Sequence, residues 1–191
     1  MPDDFSARLN KILERLTSTD FIEGSGLSNE IPFYAFDYPP EKELEVRQHI
    51  EFLLTQFSKS HPTLRVKHID LFELIIKHLK DRNFYDQALE IQKSKGDEEL
   101  LKALSAPLNA ERIAKVFEAE AVPESHDMVL VTGVGSSYPM LRTHNLLNNL
   151  HHVLGETPLV LFFPGIYDGQ SLKLFGILSD NPYYRAFRLV D

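Results

Sequence analysis

Cysteine is missing from all 191 positions, which excludes disulfides, thiolate metal sites and a thiol nucleophile. Long apolar runs are missing too. The longest, such as Leu159 to Pro164, fall far short of a bilayer-spanning helix. The opening, MPDDFSARLNKIL, starts acidic and turns amphipathic, unlike a secretory signal. A cytoplasmic protein without membrane contact is therefore expected. A basic excess is also absent. Met128 to Asp191 holds four basic residues (Arg142, Lys173, Arg185, Arg188) and four acidic ones (Glu156, Asp168, Asp180, Asp191). The other 16 basic and 24 acidic residues place the whole net charge of −8 in positions 1–127. Broad attraction to nucleic acid needs a cationic footprint, so direct nucleic-acid binding is not expected.

The catalytic signatures are incomplete as well. G-x-x-x-x-G-K-[ST] and H-E-x-x-H do not occur. Ser136 and Ser137 are not set in G-x-S-x-G. The run Gly133-Val-Gly-Ser-Ser-Tyr138 starts like the dinucleotide fingerprint but ends on tyrosine instead of glycine. The eight histidines offer no clear metal set. His144 and His151 share a helical face without a carboxylate at the right spacing, and the neighbouring asparagines are poor zinc ligands. No metal and no cofactor are expected.

What is present describes a globular α/β chain. The 43% hydrophobic and 10% aromatic content argues against disorder, and a chain of this length buries roughly 70% of its unfolded surface. Phe5, Leu9, Ile12 and Leu16 are spaced for one helix over 5–16. Ile31 to Phe36, entered through Gly24, Gly26 and Asn29, reads as a first strand. After Pro39 and Pro40 a helix presents Val46, Ile50, Leu53 and Phe57 on one face. Leu64 to Ile69 reads as a second strand, and Asp70 is placed to cap the next helix. Helical segments continue at about 84–94, 97–105 and 110–120. Met128 to Thr132, Leu159 to Phe163 and Tyr184 to Val190 complete five strands. Strands alternating with helices predict a three-layer, mostly parallel five-stranded sheet, Rossmann-like or degenerate ATPase-like. The expected organisation is one domain over 1–191, with a helical insertion at about 70–120.

In a parallel sheet, ligand and partner sites gather at the strand carboxyl ends. The turn Thr132-Gly133-Val-Gly135-Ser136-Ser-Tyr138-Pro139 ends the third strand. With Pro139 in the first turn of a following helix and Arg142 one turn in, it could hold an anion. Read blandly, its glycines only satisfy backbone geometry. Tyr167, Asp168 and Gln170 follow the fourth strand, where Asp-Gly is also an ordinary turn signal. Tyr38 follows the first. In a phosphate-binding ATPase the loop after the first strand wraps the phosphates. Here that loop has no glycine, and Glu41 and Glu43 beside the helix start repel a polyanion.

The segments Asn29-Glu-Ile-Pro-Phe-Tyr-Ala-Phe-Asp-Tyr-Pro-Pro40, Leu130 to His144, Leu161 to Gln170 and Asn181 to Val190 resemble the BrxB family. The likeness runs over nearly the whole chain. It implies membership of BREX, a bacterial defence system against bacteriophage. Members of the family are small proteins encoded beside a large ATPase, a DNA adenine methyltransferase and an alkaline-phosphatase-like protein. The resemblance brings no catalytic residues with it. The leading expectation is a non-enzymatic accessory subunit that docks other BREX proteins through the three carboxyl-end loops. Two alternatives compete with it. One is a nucleotide- or anion-sensing module with Thr132, Gly133, Gly135 and Arg142 as its pocket. The other is a metal-dependent hydrolase or nuclease using Asp37 and Asp168.

Overall fold

Parallel strands buried on both faces need apolar side chains at nearly every position. Three segments here meet that demand. In the computed structural model, which describes residues 4–24, 32–179 and 186–191, these are Phe33–Tyr38 (β1), Met128–Thr132 (β3) and the core of Leu159–Tyr167 (β4). Val66–Asp70 (β2) lies between β1 and β3 in sequence. The shorter strands Leu172–Leu174 (β5), Leu178–Ser179 (β6) and Ala186–Arg188 (β7) follow β4. Ile31, Gly26 and Asn29 of the expected first strand, and Tyr184 and Arg185 of the last, lie outside the described residues.

Among the described residues five strands run parallel in the order β2-β3-β4-β1-β7. This is not the dinucleotide-binding order, where the first strand lies between the second and the fourth. Here β1 lies between β4 and β7. β4 outruns its neighbour: the register ends with Tyr38 opposite Pro164, and residues 165–167 project further. There they pair antiparallel with β5, which in turn pairs with β6. The sequence does not announce this hairpin. Gly165 makes it possible, because a Cβ there would stand 2.2 Å from the Lys173 carbonyl oxygen.

The helices divide between the two faces. Asp4–Asn10 (α1), Ile12–Leu16 (α2), Thr19–Ile22 (α3) and Glu43–Ser60 (α4) cover one face. The expected helix over 5–16 is interrupted at Lys11, yet Phe5, Ile12 and Leu16 remain buried. α4 buries Val46, Ile50, Leu53 and Phe57 as its spacing predicts. Between β2 and β3 the chain forms Leu71–Asp81 (α5), Tyr85–Lys95 (α6), Asp97–Leu104 (α7) and Ala110–Ala121 (α8). α5 and α8 lie on the second face together with Thr143–Leu154 (α10). α6 and α7 are largely exposed and bury only Ala88 and Leu104. Alternation along β1 feeds both cores, with Phe33 and Ala35 on the second face and Tyr34 and Phe36 on the first. The result is a three-layer α/β fold.

One local expectation fails. The helix expected directly after the glycine turn stops after four residues, Val134–Ser137 (α9). Tyr138 precedes a proline, which disfavours helical backbone, and it is extended at φ −75° and ψ 139°. Pro139 therefore sits in a turn, and Arg142 is the residue before α10 rather than one turn inside it.

Candidate functional site

The carboxyl ends of β1, β2, β3 and β4 bring most of the candidate residues to one end of the sheet. Several of their polar groups fall into two separate hydrogen-bonded sets. The buried Tyr38 hydroxyl donates to Glu43 Oε2 at 2.6 Å. Burial, reinforced by that hydrogen bond, pushes its phenol far above the usual range. Glu43 Oε1 accepts from Arg47 Nε at 2.8 Å, and Arg47 Nη2 donates to Ser136 Oγ at 3.1 Å. This relay links the corner after β1 to the exposed turn of α9.

A second group forms where β2 and β3 end. Asp70 stands opposite Thr132 in the register. Its Oδ1 accepts the backbone N–H groups of Phe72 (2.8 Å) and Glu73 (3.1 Å), capping α5. Its Oδ2 accepts from Thr132 Oγ1 at 3.4 Å, and His68 Nε2 lies 2.8 Å from the same hydroxyl. Burial holds the His68 imidazole below its ordinary value. The order of these groups decides their chemistry. A nucleophilic triad places the imidazole between hydroxyl and carboxylate. Here the hydroxyl lies between the other two, so Asp70 does not orient His68. Gly133, at φ 76°, completes the group; a Cβ on it would stand 2.3 Å from Asp70 Oδ1. The glycine thus serves a close approach to a carboxylate, and an anion entering here would meet that charge. Arg142 is not part of this group. It is exposed and lies beside Tyr138, Phe163 and Leu172 on the α10 side.

Asp37 and Asp168 are committed elsewhere. Asp37, 8% exposed, binds Arg8 Nη2 through Oδ1 at 2.7 Å and accepts the Tyr167 N–H through Oδ2 at 3.0 Å. Asp168 folds the β4–β5 turn by accepting from Gln170 N (3.0 Å), Ser171 N (2.7 Å) and Ser171 Oγ (2.8 Å). The Ser171 bonds lead in holding its carboxyl down at about 2. Among the described residues no three His, Asp or Glu side chains are placed to hold a metal ion. Tyr167 is a core residue whose hydroxyl donates to the Ala186 carbonyl and whose own carbonyl accepts from Arg188. Gln170 and Ser136 are exposed, Gly135 and Tyr138 half-buried.

Exposed apolar side chains that motif reading missed lie on elements at the same end of the sheet. Leu44 and Phe72 occupy the first turns of α4 and α5, the helices that follow β1 and β2. Ile166 lies on the projecting part of β4; Phe175 and Ile177 lie on the β5–β6 hairpin. Leu44 is 70% exposed, Ile166 51% and Ile177 80%, with Phe72 and Phe175 at 37% each. Only the strand order, which places these elements at one end of the sheet, relates them to one another. Among the described residues no helix is long and apolar enough to cross a membrane.

Comparison with known proteins gives a consistent result. The family model for BREX protein BrxB matches residues 67–189. The BREX protein BrxB of Bacillus cereus (strain H3081.97) is 39% identical over 188 residues, covering 96% of each chain. The BREX protein BrxB of Escherichia coli O9:H4 (strain HS) is 37% identical over 183 residues, covering 96% of this chain and 90% of the relative. No solved structure gives a significant match.

Proposed function

The chain belongs to the BrxB family of BREX proteins, and on that premise we propose that it is a non-enzymatic accessory subunit of the antiphage defence complex. It works in the cytoplasm and docks other BREX components, with the phosphatase-like protein, the large ATPase and the methyltransferase as candidate partners. The observation that carries this reading is the set of exposed Leu44, Phe72, Ile166, Phe175 and Ile177 on elements that follow or extend the strands at the carboxyl end of the sheet. Several large apolar side chains exposed at one end of a sheet are the kind of surface that serves interaction. Several polar groups at that end are bonded to one another, which suits a rigid docking platform better than a reacting centre. The loops around Gly133 to Tyr138, Tyr167 to Gln170 and Tyr38 form its frame.

The test is co-purification from cells carrying the whole operon. Tagged wild-type protein brings down a stoichiometric BREX component. The double variant Ile166→Glu, Ile177→Glu loses it while unfolding at the same temperature, because both side chains are exposed and support little of the core. A wild-type protein that emerges alone counts against docking.

A further inference from the structure

An adaptor needs a second surface, and the outer edge of β2 supplies one. β2 ends the sheet, and among the described residues no strand pairs with its outer side. Unlike β1 and β3 it is only half-buried at Val66, Lys67 and His68. A cavity of about 270 Å³ wraps this edge. It is lined by His68, on the face that carries Thr132, and by Ile69, on the face that carries α5 and α8. Through Leu74, Lys77 and Glu120 it continues into a cavity of about 440 Å³ between α5 and α8. Half the backbone N–H and C=O groups of an edge strand point outward and offer pairing to another chain.

Charge narrows what fits. Glu120 is neutralised twice, by Lys67 Nζ at 2.8 Å and Lys77 Nζ at 2.7 Å, and those hydrogen bonds hold its carboxyl at about 2. Arg112 and Lys115 line the inter-helix cavity, and neither has a hydrogen-bond or ion-pair partner among the described residues. Asp81 is the remaining carboxylate there. The cavity is therefore locally cationic in a chain of net charge −8, over an apolar floor of Leu74 and Val116. At the other end of the groove Asp70 and Glu73 reverse the sign.

We propose that this groove takes an extended acidic segment of a partner protein, which adds to β2 as a further strand and lays its carboxylates between α5 and α8. Strand addition supplies backbone hydrogen bonds, and the flanking pockets supply selectivity. The opposed charges set a direction: the acidic residues lie toward Arg112 and Lys115, away from Asp70 and Glu73. The inference deepens the docking reading, but its test does not depend on which BREX component is captured.

The probe is a short synthetic peptide alternating glutamate with valine, compared with its glutamine counterpart. Calorimetry is expected to find the acidic peptide binding more than about tenfold tighter than the neutral one. Hydrogen exchange is expected to slow at the amides of 66–70 when it binds. Arg112→Glu with Lys115→Glu abolishes the preference. Equal affinity for the two peptides overturns the proposal, as does binding without protection of β2. Displacement by inorganic phosphate at matching concentration also overturns it, since that marks a small-anion pocket. If the double variant does not fold, the peptide comparison on the wild type still decides.

Discussion

On the face covered by α1–α4, rings pack on rings. Phe5 meets Phe36, Phe21 meets Tyr34 and Phe36 meets Phe162, with centroids 6.5, 4.8 and 5.8 Å apart. On the face covered by α5, α8 and α10 the core is mostly leucine, isoleucine and valine. The helices differ in the same way. α5, α8 and α10 have 11 or 12 residues with strong apolar stripes. α1, α2 and α3 have seven, five and four. Helices that short do not persist through their own propensity. Something outside each helix must hold them, and Arg8 is the clearest tie. Its guanidinium lies 5.0 Å from the Phe36 ring centroid, binds the Asp37 carboxylate and donates to the Asp37 carbonyl. Periodic burial holds the second face and α4 on the first, whereas α1, α2 and α3 depend on a few specific long-range contacts.

The largest effect should come from cutting that tie. Asp37→Ala leaves Arg8 without its carboxylate and frees the Tyr167 N–H that Asp37 Oδ2 accepts. Removing one partner of a buried ion pair costs about 3–5 kcal/mol. Urea unfolding measures it. Arg8→Ala should cost a similar amount, and the double variant clearly less than the two together, because both break one contact. A cost of Asp37→Ala under about 1 kcal/mol would mean that the aromatic contacts alone hold α1 to the sheet, and the contrast between the faces would weaken.

On the aliphatic face a polar change should matter less. Asp70→Ala removes the cap of α5, two backbone N–H partners at once. Loss of an N-cap costs about 1 kcal/mol, with about 2 as the upper end. The change also removes the acceptor at 3.4 Å from Thr132 Oγ1, yet His68 still engages that hydroxyl. Chemical denaturation should therefore place this variant well above Asp37→Ala in stability. A larger loss than for Asp37→Ala reverses the ranking of the two faces.

The same contrast separates what the sequence reveals from what it hides. β3 is legible to the residue, and the α4 stripe and the Asp70 cap are legible too, because burial repeats along a continuous element. The β5–β6 hairpin is hidden because strands of three and two residues carry no period. The tie between Arg8 and Asp37 spans 29 positions, and no local pattern points to it. At the candidate site the glycine turn was visible but its reason was not. Gly133 is required by Asp70, which only the β2–β3 register brings beside it. The exposed Leu44, Ile166 and Ile177 are hidden for a similar reason, since only strand order places their elements at one end of the sheet.

The smallest effect is a pH dependence, and it too can be divided between the faces. His49 on α4 and His78 on α5 both titrate below the ordinary imidazole value of 6.5, in each case chiefly because burial opposes the charged form. For His78 the positive charges of Arg82 and Arg112 add to that, while its hydrogen bond to the Pro107 carbonyl and the charge of Asp81 oppose it. A lowered folded-state value means that the unfolded chain takes up protons first as pH falls. Stability should be full above about pH 6.5 and decline below it, until the folded-state imidazoles also protonate. His78 is 8% exposed and His49 half-buried, so His78→Gln should flatten the decline more than His49→Gln. Thermal unfolding at about pH 7.5 and about pH 5.5 compares them. The opposite order would mean that the aromatic side, with α4 on it, opposes protonation more strongly than the cationic neighbourhood of α5.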